Sequence, residues 1–177
     1  MRVMTARKLC RPLALAACAA LSLATGGEPL AAKAIAAKAD KIVVVKSERR
    51  LYLLRGGEVM RSYQVALGRQ PRGTKLHEGD GRTPEGRYTL DARNPDSNFY
   101  RALRVSYPSR SDRERARALG QSAGGLIMIH GLPNERPKWG AEHWMFNWTS
   151  GCIAVTNREI DEIWDSVDLG IPIEIRP

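Results

Sequence analysis

The sequence TSGCIAVTNRE at residues 149–159 carries the pattern on which the fold assignment depends. Residues 152–155 are an apolar run, which predicts a short buried strand. Thr156 is followed three residues later by Glu159, and this pair is a capping box. Apolar residues at helical spacing come next (Ile160, Ile163, Trp164, Val167). We therefore expect a strand that leads directly into an amphipathic helix over residues 157–167.

Most of the remaining chain predicts strands separated by turn residues. The candidate strands are residues 41–46, 51–55, 58–67, 87–91, 102–107, 126–129 and, after Gly170, 171–175. The run 126–129 is continuously apolar and predicts a strand buried on both faces. A short polar helix is expected over residues 111–119, closed by Gly120. The fold class is therefore mainly β (α+β).

One long segment, residues 68–85, predicts a loop. It contains four glycines and two prolines among charged residues. Because loops of this length inside a compact domain are usually functional, we expect it to border a site.

The first 34 residues differ from the rest in composition. Basic residues come first (Arg2, Arg7, Lys8, Arg11), then an apolar stretch over 13–24, then small residues ending in Ala32-Lys33-Ala34. This order is typical of a secretory signal peptide. The apolar stretch is shorter than the ~20 residues that span a bilayer, which disfavours a membrane anchor. Apolar sequence also continues beyond Cys18, which disfavours lipidation at that cysteine.

We expect a signal peptide at 1–34, a short leader at 35–40 and one domain at 41–176, exported to the periplasm or cell envelope. Without residues 1–34 the formal charge falls from +9 to +5, because five basic residues and one acidic residue leave. No basic stripe with interleaved aromatic residues remains, so a nucleic-acid partner is not expected. The residual positive charge would attract the chain to an anionic wall polymer, and such a partner is sufficient to explain it.

Removal of the signal peptide also takes away Cys10 and Cys18, which leaves Cys152 without a disulfide partner. A lone cysteine is either a small buried apolar residue or a nucleophile. Its neighbours favour the nucleophile. Gly151 lets a substrate carbonyl approach, and the backbone N–H groups of Gly151 and Cys152 are candidate oxyanion donors. His130, at the end of the run 126–129, is a candidate proton acceptor.

The segments Ile129-His130-Gly131 and Thr149-Ser150-Gly151-Cys152-Ile153 together resemble the active-site motif of the L,D-transpeptidase (YkuD-type) catalytic domain. Residues 79–86, 103–108 and 154–157 are similar to stretches of an exported bacterial subgroup of that family. The resemblance extends over roughly residues 41–176.

The resemblance implies a β-sandwich with one C-terminal amphipathic helix and a lid between His130 and Cys152. It implies that Cys152 attacks a peptidoglycan stem tetrapeptide, releases the terminal D-alanine and forms a thioester, while His130 transfers the proton. The thioester would pass to an amine of a second stem peptide, a D-amino acid or an envelope protein. No cofactor is implied.

Two departures from the family motif leave other functions open. Ser150 stands where many members have a second histidine, and Ala154 stands where an arginine is frequent. The interval of 22 positions between His130 and Cys152 predicts an enlarged lid. The alternatives are a wall hydrolase that uses the same acyl-enzyme, such as a carboxypeptidase or endopeptidase, and a non-catalytic wall-binding module.

Other residues are candidates for substrate binding. Arg82 and Arg104 suit the carboxylates of a stem peptide, and Trp139, Trp144 and Trp148 lie in the predicted lid. His143 is a further binding candidate, whereas the alternative for both His77 and His143 is an ordinary surface or loop residue. No two histidines have a short metal-ligand spacing, so no metal site is expected.

Overall fold

The computed structural model describes residues 37–135 and 140–177. The predicted signal peptide and the first residues of the leader lie outside the described residues. Within these two ranges there are eight strands: β1 Lys41–Val45, β2 Arg50–Arg55, β3 Glu58–Gln64, β4 Gly86–Ser97, β5 Tyr100–Val105, β6 Met128–His130, β7 Ile153–Ala154 and β8 Pro172–Arg176. The helices are α1 Arg110–Ala118 and α2 Asn157–Ser166. The prediction of a mainly β fold with few helices is confirmed.

The strands form one mixed sheet in the order β3-β2-β1-β8-β4-β5-β6-β7. The long strand β4 belongs to both halves, because residues 86–89 pair with β8 and residues 90–97 pair with β5. β1 and β8 run parallel side by side, so the two ends of the domain meet in the middle of the sheet.

The segment after β3 connects the two edges of the sheet. Ala66 and Ala154 exchange backbone hydrogen bonds, each 2.9 Å long, and Arg69 N–H donates to the carbonyl of Thr149. A single apolar cluster lies inside, with contributions from β1 (Ile42), β5 (Leu103), β6 (Ile129), β7 (Ile153) and α2 (Ile160). The short strand β7 is thus fixed on both sides.

Helix α2 begins where its sequence pattern predicts. The Thr156 side chain accepts from Glu159 N–H, and the Glu159 carboxylate accepts from Thr156 N–H. Ile160 and Ile163 on the inner face are fully buried. Among the described residues, no helix has the length and apolar character needed to cross a membrane.

The prediction for residues 126–129 is wrong in one respect. Only Met128 to His130 form β6, and Leu126 is 69% exposed with a φ of +56°. The left-handed backbone of Leu126 turns the chain before the strand begins, so its side chain never enters the core.

Candidate active site

The pairing of β6 with β7 brings the chain segments that carry His130 and Cys152 next to each other. The two strands are parallel, with His130 opposite Ala154, and Cys152 lies two residues before Ala154. Ile129 and Ile153 project into the core, so from the alternation of side chains along extended chains we expect Cys152 to project to the side of His130. An offset of two residues on neighbouring strands corresponds to about 8 Å between Cα atoms, a distance that two side chains can bridge.

His130 is held in one orientation and one tautomer. Its ring is 3% exposed and packs against Phe99 at a centroid distance of 4.5 Å and against Trp148 at 5.7 Å. Nδ1 lies 2.7 Å from the carbonyl oxygen of Gly131. Since a carbonyl only accepts, Nδ1 carries the hydrogen and Nε2 has a free lone pair. His130 can therefore accept a proton at Nε2.

The glycine after His130 is required by close packing. A Cβ on Gly131 would lie 2.7 Å from Oδ1 of Asn157 and 3.1 Å from the carbonyl oxygen of Phe99. The same Asn157 oxygen accepts from Leu132 N–H, so the start of α2 fixes the turn that follows β6.

Burial lowers the pKa of His130 to about 4; the hydrogen bond to Gly131 opposes this effect and the neighbouring His143 adds to it. Burial likewise lowers the pKa of His143, against the pull of Glu159. Both imidazoles are therefore neutral at pH 7, as a proton acceptor must be.

The low pKa of His130 predicts an acid-labile fold. Between pH 6.5 and about 4 the unfolded chain binds a proton that folded His130 does not, so stability falls as the pH falls through this window. The loss from His130 alone amounts to roughly 3 kcal/mol of unfolding free energy. Urea unfolding at pH 7.5 and 4.5 measures it. His130→Gln should show a distinctly smaller loss, and an equal loss in the variant would contradict the assignment.

Cys152 lies half-buried between two loops. Its Sγ is 3.5 Å from the carbonyl oxygen of Leu126, to which the thiol donates. Burial raises the pKa of the Cys152 thiol, although a backbone hydrogen bond from Met128 and the charge of Lys75 favour the thiolate. In the free protein both the Cys152 thiol and the His130 imidazole are therefore neutral at pH 7.

The turn before Cys152 is built by Thr149 and Gly151. Thr149 is buried; its hydroxyl donates to the Cys152 carbonyl and accepts from Gly151 N–H. Gly151 has a φ of +132°, and a Cβ there would lie 2.7 Å from the Arg82 carbonyl oxygen. Only glycine fits this position. The Gly151 N–H, a candidate oxyanion donor, is already bonded to Thr149 in the free protein.

The long loop 68–85 packs against this turn. Asp80 organises it by accepting hydrogen bonds from Lys75 and from the backbone N–H groups of Leu76 and Arg82. Burial opposes ionisation of Asp80, but these bonds outweigh it and hold the pKa of Asp80 below its usual value. The sequence predicts that this loop borders a site, but it does not indicate the buried ion pair between Lys75 and Asp80, whose charged atoms lie 2.8 Å apart.

The other predicted site residues differ in how close they lie to the reactive residues. Trp148 packs between His130 and His143, and Ser150 is exposed beside the nucleophile. Arg82 contributes its backbone to the site, whereas Arg104 is paired with Asp91. Trp139 lies outside the described residues.

His143 lies in the loop between β6 and β7, but it is not a surface residue. His143 is 3% exposed in a 3-10 turn, His143–Met145, and neither ring nitrogen has a hydrogen-bond partner among the described residues. Arg49 fixes this turn by donating to the carbonyls of Trp144 and Met145. His77 is half-buried and its Nδ1 contacts the Glu78 carbonyl.

Leu126 is a site residue that the sequence pattern did not indicate. A leucine with left-handed backbone costs about 1–2 kcal/mol relative to a right-handed one. It is one of three non-glycine residues with positive φ in the described ranges, with Arg49 and Tyr100. No cluster of three or more His, Cys, Asp or Glu residues suited to a metal ion occurs within 37–135 and 140–177.

Comparisons with known proteins identify the family of this chain. A family model described as the YkuD L,D-transpeptidase catalytic domain matches residues 39–175. The Escherichia coli (strain K12) protein named "Putative L,D-transpeptidase YafK" is 32% identical over 132 residues, which are 71% of this chain and 46% of YafK. The chain thus spans about half the length of the curated relatives that it matches.

Solved structures with the same fold include the helical cell shape determining protein Pgp2 from Campylobacter jejuni. Pgp2 is 26% identical with a TM-score of 0.57, over 76% of this chain and 46% of Pgp2. Bd1075 from Bdellovibrio bacteriovorus is 26% identical with a TM-score of 0.53, over 81% of this chain and 49% of Bd1075. Since the family model spans nearly all of the described chain, this protein belongs to the YkuD family of L,D-transpeptidase catalytic domains.

Proposed function

We propose that this protein is an exported peptidoglycan L,D-transpeptidase that acts through a thioester on Cys152. The observation that carries the proposal is the parallel β6–β7 pairing, in which Cys152 lies two residues before the partner of His130, together with the fixed orientation of the His130 imidazole. Membership of the family supports the proposed substrate class, a stem peptide of the cell wall.

The first half-reaction begins with a rotation of the thiol. The Cys152 thiol leaves the Leu126 carbonyl and gives its proton to Nε2 of His130 as sulfur attacks the carbonyl carbon of the third stem residue. Burial raises the pKa of Cys152, so little thiolate exists beforehand and a base is needed to take the thiol proton. The Cys152 N–H is the backbone donor that we assign to the oxyanion, since the Gly151 N–H is bonded to Thr149.

Collapse of the tetrahedral intermediate breaks the peptide bond. His130 returns the proton to the departing nitrogen, D-alanine leaves as a neutral amine, and a thioester remains on Cys152. In the second half-reaction an acceptor amine attacks the thioester, His130 takes the proton of that amine, and the sulfur leaves as a thiolate that recovers the proton. Water in place of the amine gives hydrolysis.

Product analysis with a defined donor tests the proposal. The purified protein is incubated with a stem tetrapeptide, with and without an acceptor tetrapeptide, and the products are weighed by mass spectrometry. We expect D-alanine release with formation of a cross-linked dimer when acceptor is present. Release of D-alanine without any dimer would show that the enzyme hydrolyses the donor and does not transfer it. An intact donor in both mixtures would contradict the formation of an acyl-enzyme.

A further inference from the structure

An exposed leucine adjoins the nucleophile in a backbone conformation that disfavours it. Leu126 is 69% exposed with a φ of +56°, and its carbonyl oxygen is 3.5 Å from Sγ of Cys152. The residue therefore occupies the rim of the reaction centre, with its apolar side chain open to solvent.

Neither the backbone nor the core explains a leucine at this position. Glycine adopts this φ without steric cost, and the chain already has Gly124 and Gly125 immediately before it. A side chain that is 69% exposed adds little to the buried apolar cluster, which does not include it. The other strongly exposed leucines, Leu119 and Leu169, are not among the described residues with positive φ.

We infer that the Leu126 side chain is a specificity residue that contacts the aliphatic side chain of the acyl-donor residue, the diamino acid at the third stem position. This inference rests on the proposed function. A carbonyl under attack comes within roughly 3–3.5 Å of sulfur, so the residue that bears it must lie beside Leu126. The methylene chain of a diamino acid supplies an apolar surface that matches an exposed leucine.

The test compares two tetrapeptide donors, one with diaminopimelate and one with alanine at the third position. Leu126→Ala keeps the left-handed backbone and removes the side chain, whereas Leu126→Gly also relieves the backbone. We expect both variants to lower kcat/KM about tenfold for the diaminopimelate donor, mainly through KM, and less than twofold for the alanine donor. Leu126→Met, which retains an apolar side chain of similar reach, should restore activity to within about twofold.

Controls separate a binding role from a structural one. Thermal unfolding of Leu126→Gly should occur at the wild-type temperature or above, and Leu169→Ala should leave kcat/KM unchanged on both donors. Equal kcat/KM in wild type and variants, or an equal loss on both donors, overturns the role of Leu126 while the proposed function stands. Absence of D-alanine release by the wild-type protein from both donors rejects the function, and the inference with it.

Discussion

Cys152→Ala is expected to abolish D-alanine release, with a decrease in kcat of about a thousandfold or more, because the bond-forming atom is lost. A carbapenem should add its mass to the wild-type protein and leave the variant unmodified. Folding should be unaffected, since Cys152 is only half-buried and the contact of its Sγ with the Leu126 carbonyl is long, at 3.5 Å.

Two controls make the Cys152 result decisive. Cys152→Ser keeps the shape of the side chain with a far weaker nucleophile, so it should bind donor peptide and fail to turn it over. Melting temperatures of both variants should match the wild type within a few degrees. Turnover by Cys152→Ala above one hundredth of the wild-type rate would show that another group attacks the donor.

His130→Gln is expected to lower kcat about 10²- to 10⁴-fold, because the variant has no side chain that takes the proton from sulfur. Glutamine retains an N–H group that can donate to the Gly131 carbonyl, so the turn after β6 should survive. Single-turnover acylation by a carbapenem, measured at pH 7, isolates this first step from later ones.

The matched control for His130 is His77→Gln. His77 lies in the loop 68–85 and its ring contacts the Glu78 carbonyl, so its replacement should change the acylation rate less than twofold. Alkylation of Cys152 by iodoacetamide well above the thiol pKa should proceed equally in His130→Gln and wild type, because the thiolate then forms without a base. A loss of less than tenfold in His130→Gln acylation would remove His130 from the proposed mechanism.

Features encoded by neighbouring residues could be predicted from the sequence. The capping box of Thr156 and Glu159 starts α2 through contacts three residues apart, and the apolar spacing after it fixes which face is buried. The fold class and the two candidate reactive residues, His130 and Cys152, follow from similarly short patterns combined with the family resemblance.

Features that depend on distant contacts were not predictable. The position of Leu126 depends on its left-handed backbone. The apolar run 126–129 predicts a strand there, because hydropathy contains no information on φ. The burial of His143 depends on packing against Trp148 and on Arg49, which is far away in the chain. The competition of Thr149 for the Gly151 N–H likewise appears only once the turn is formed.

The parallel pairing of β1 with β8 has a consequence for the order in which the domain folds. Lys41–Val45 and Pro172–Arg176 are far apart in the sequence, yet each strand is the other's neighbour in the middle of the sheet. The backbone hydrogen bonds between Ala66 and Ala154 likewise join two distant parts of the chain. Since such contacts between distant residues form late in folding, a partly folded chain can carry Cys152 without a competent reaction centre, and the thiol gains its catalytic setting only when β7 and β8 have joined the sheet.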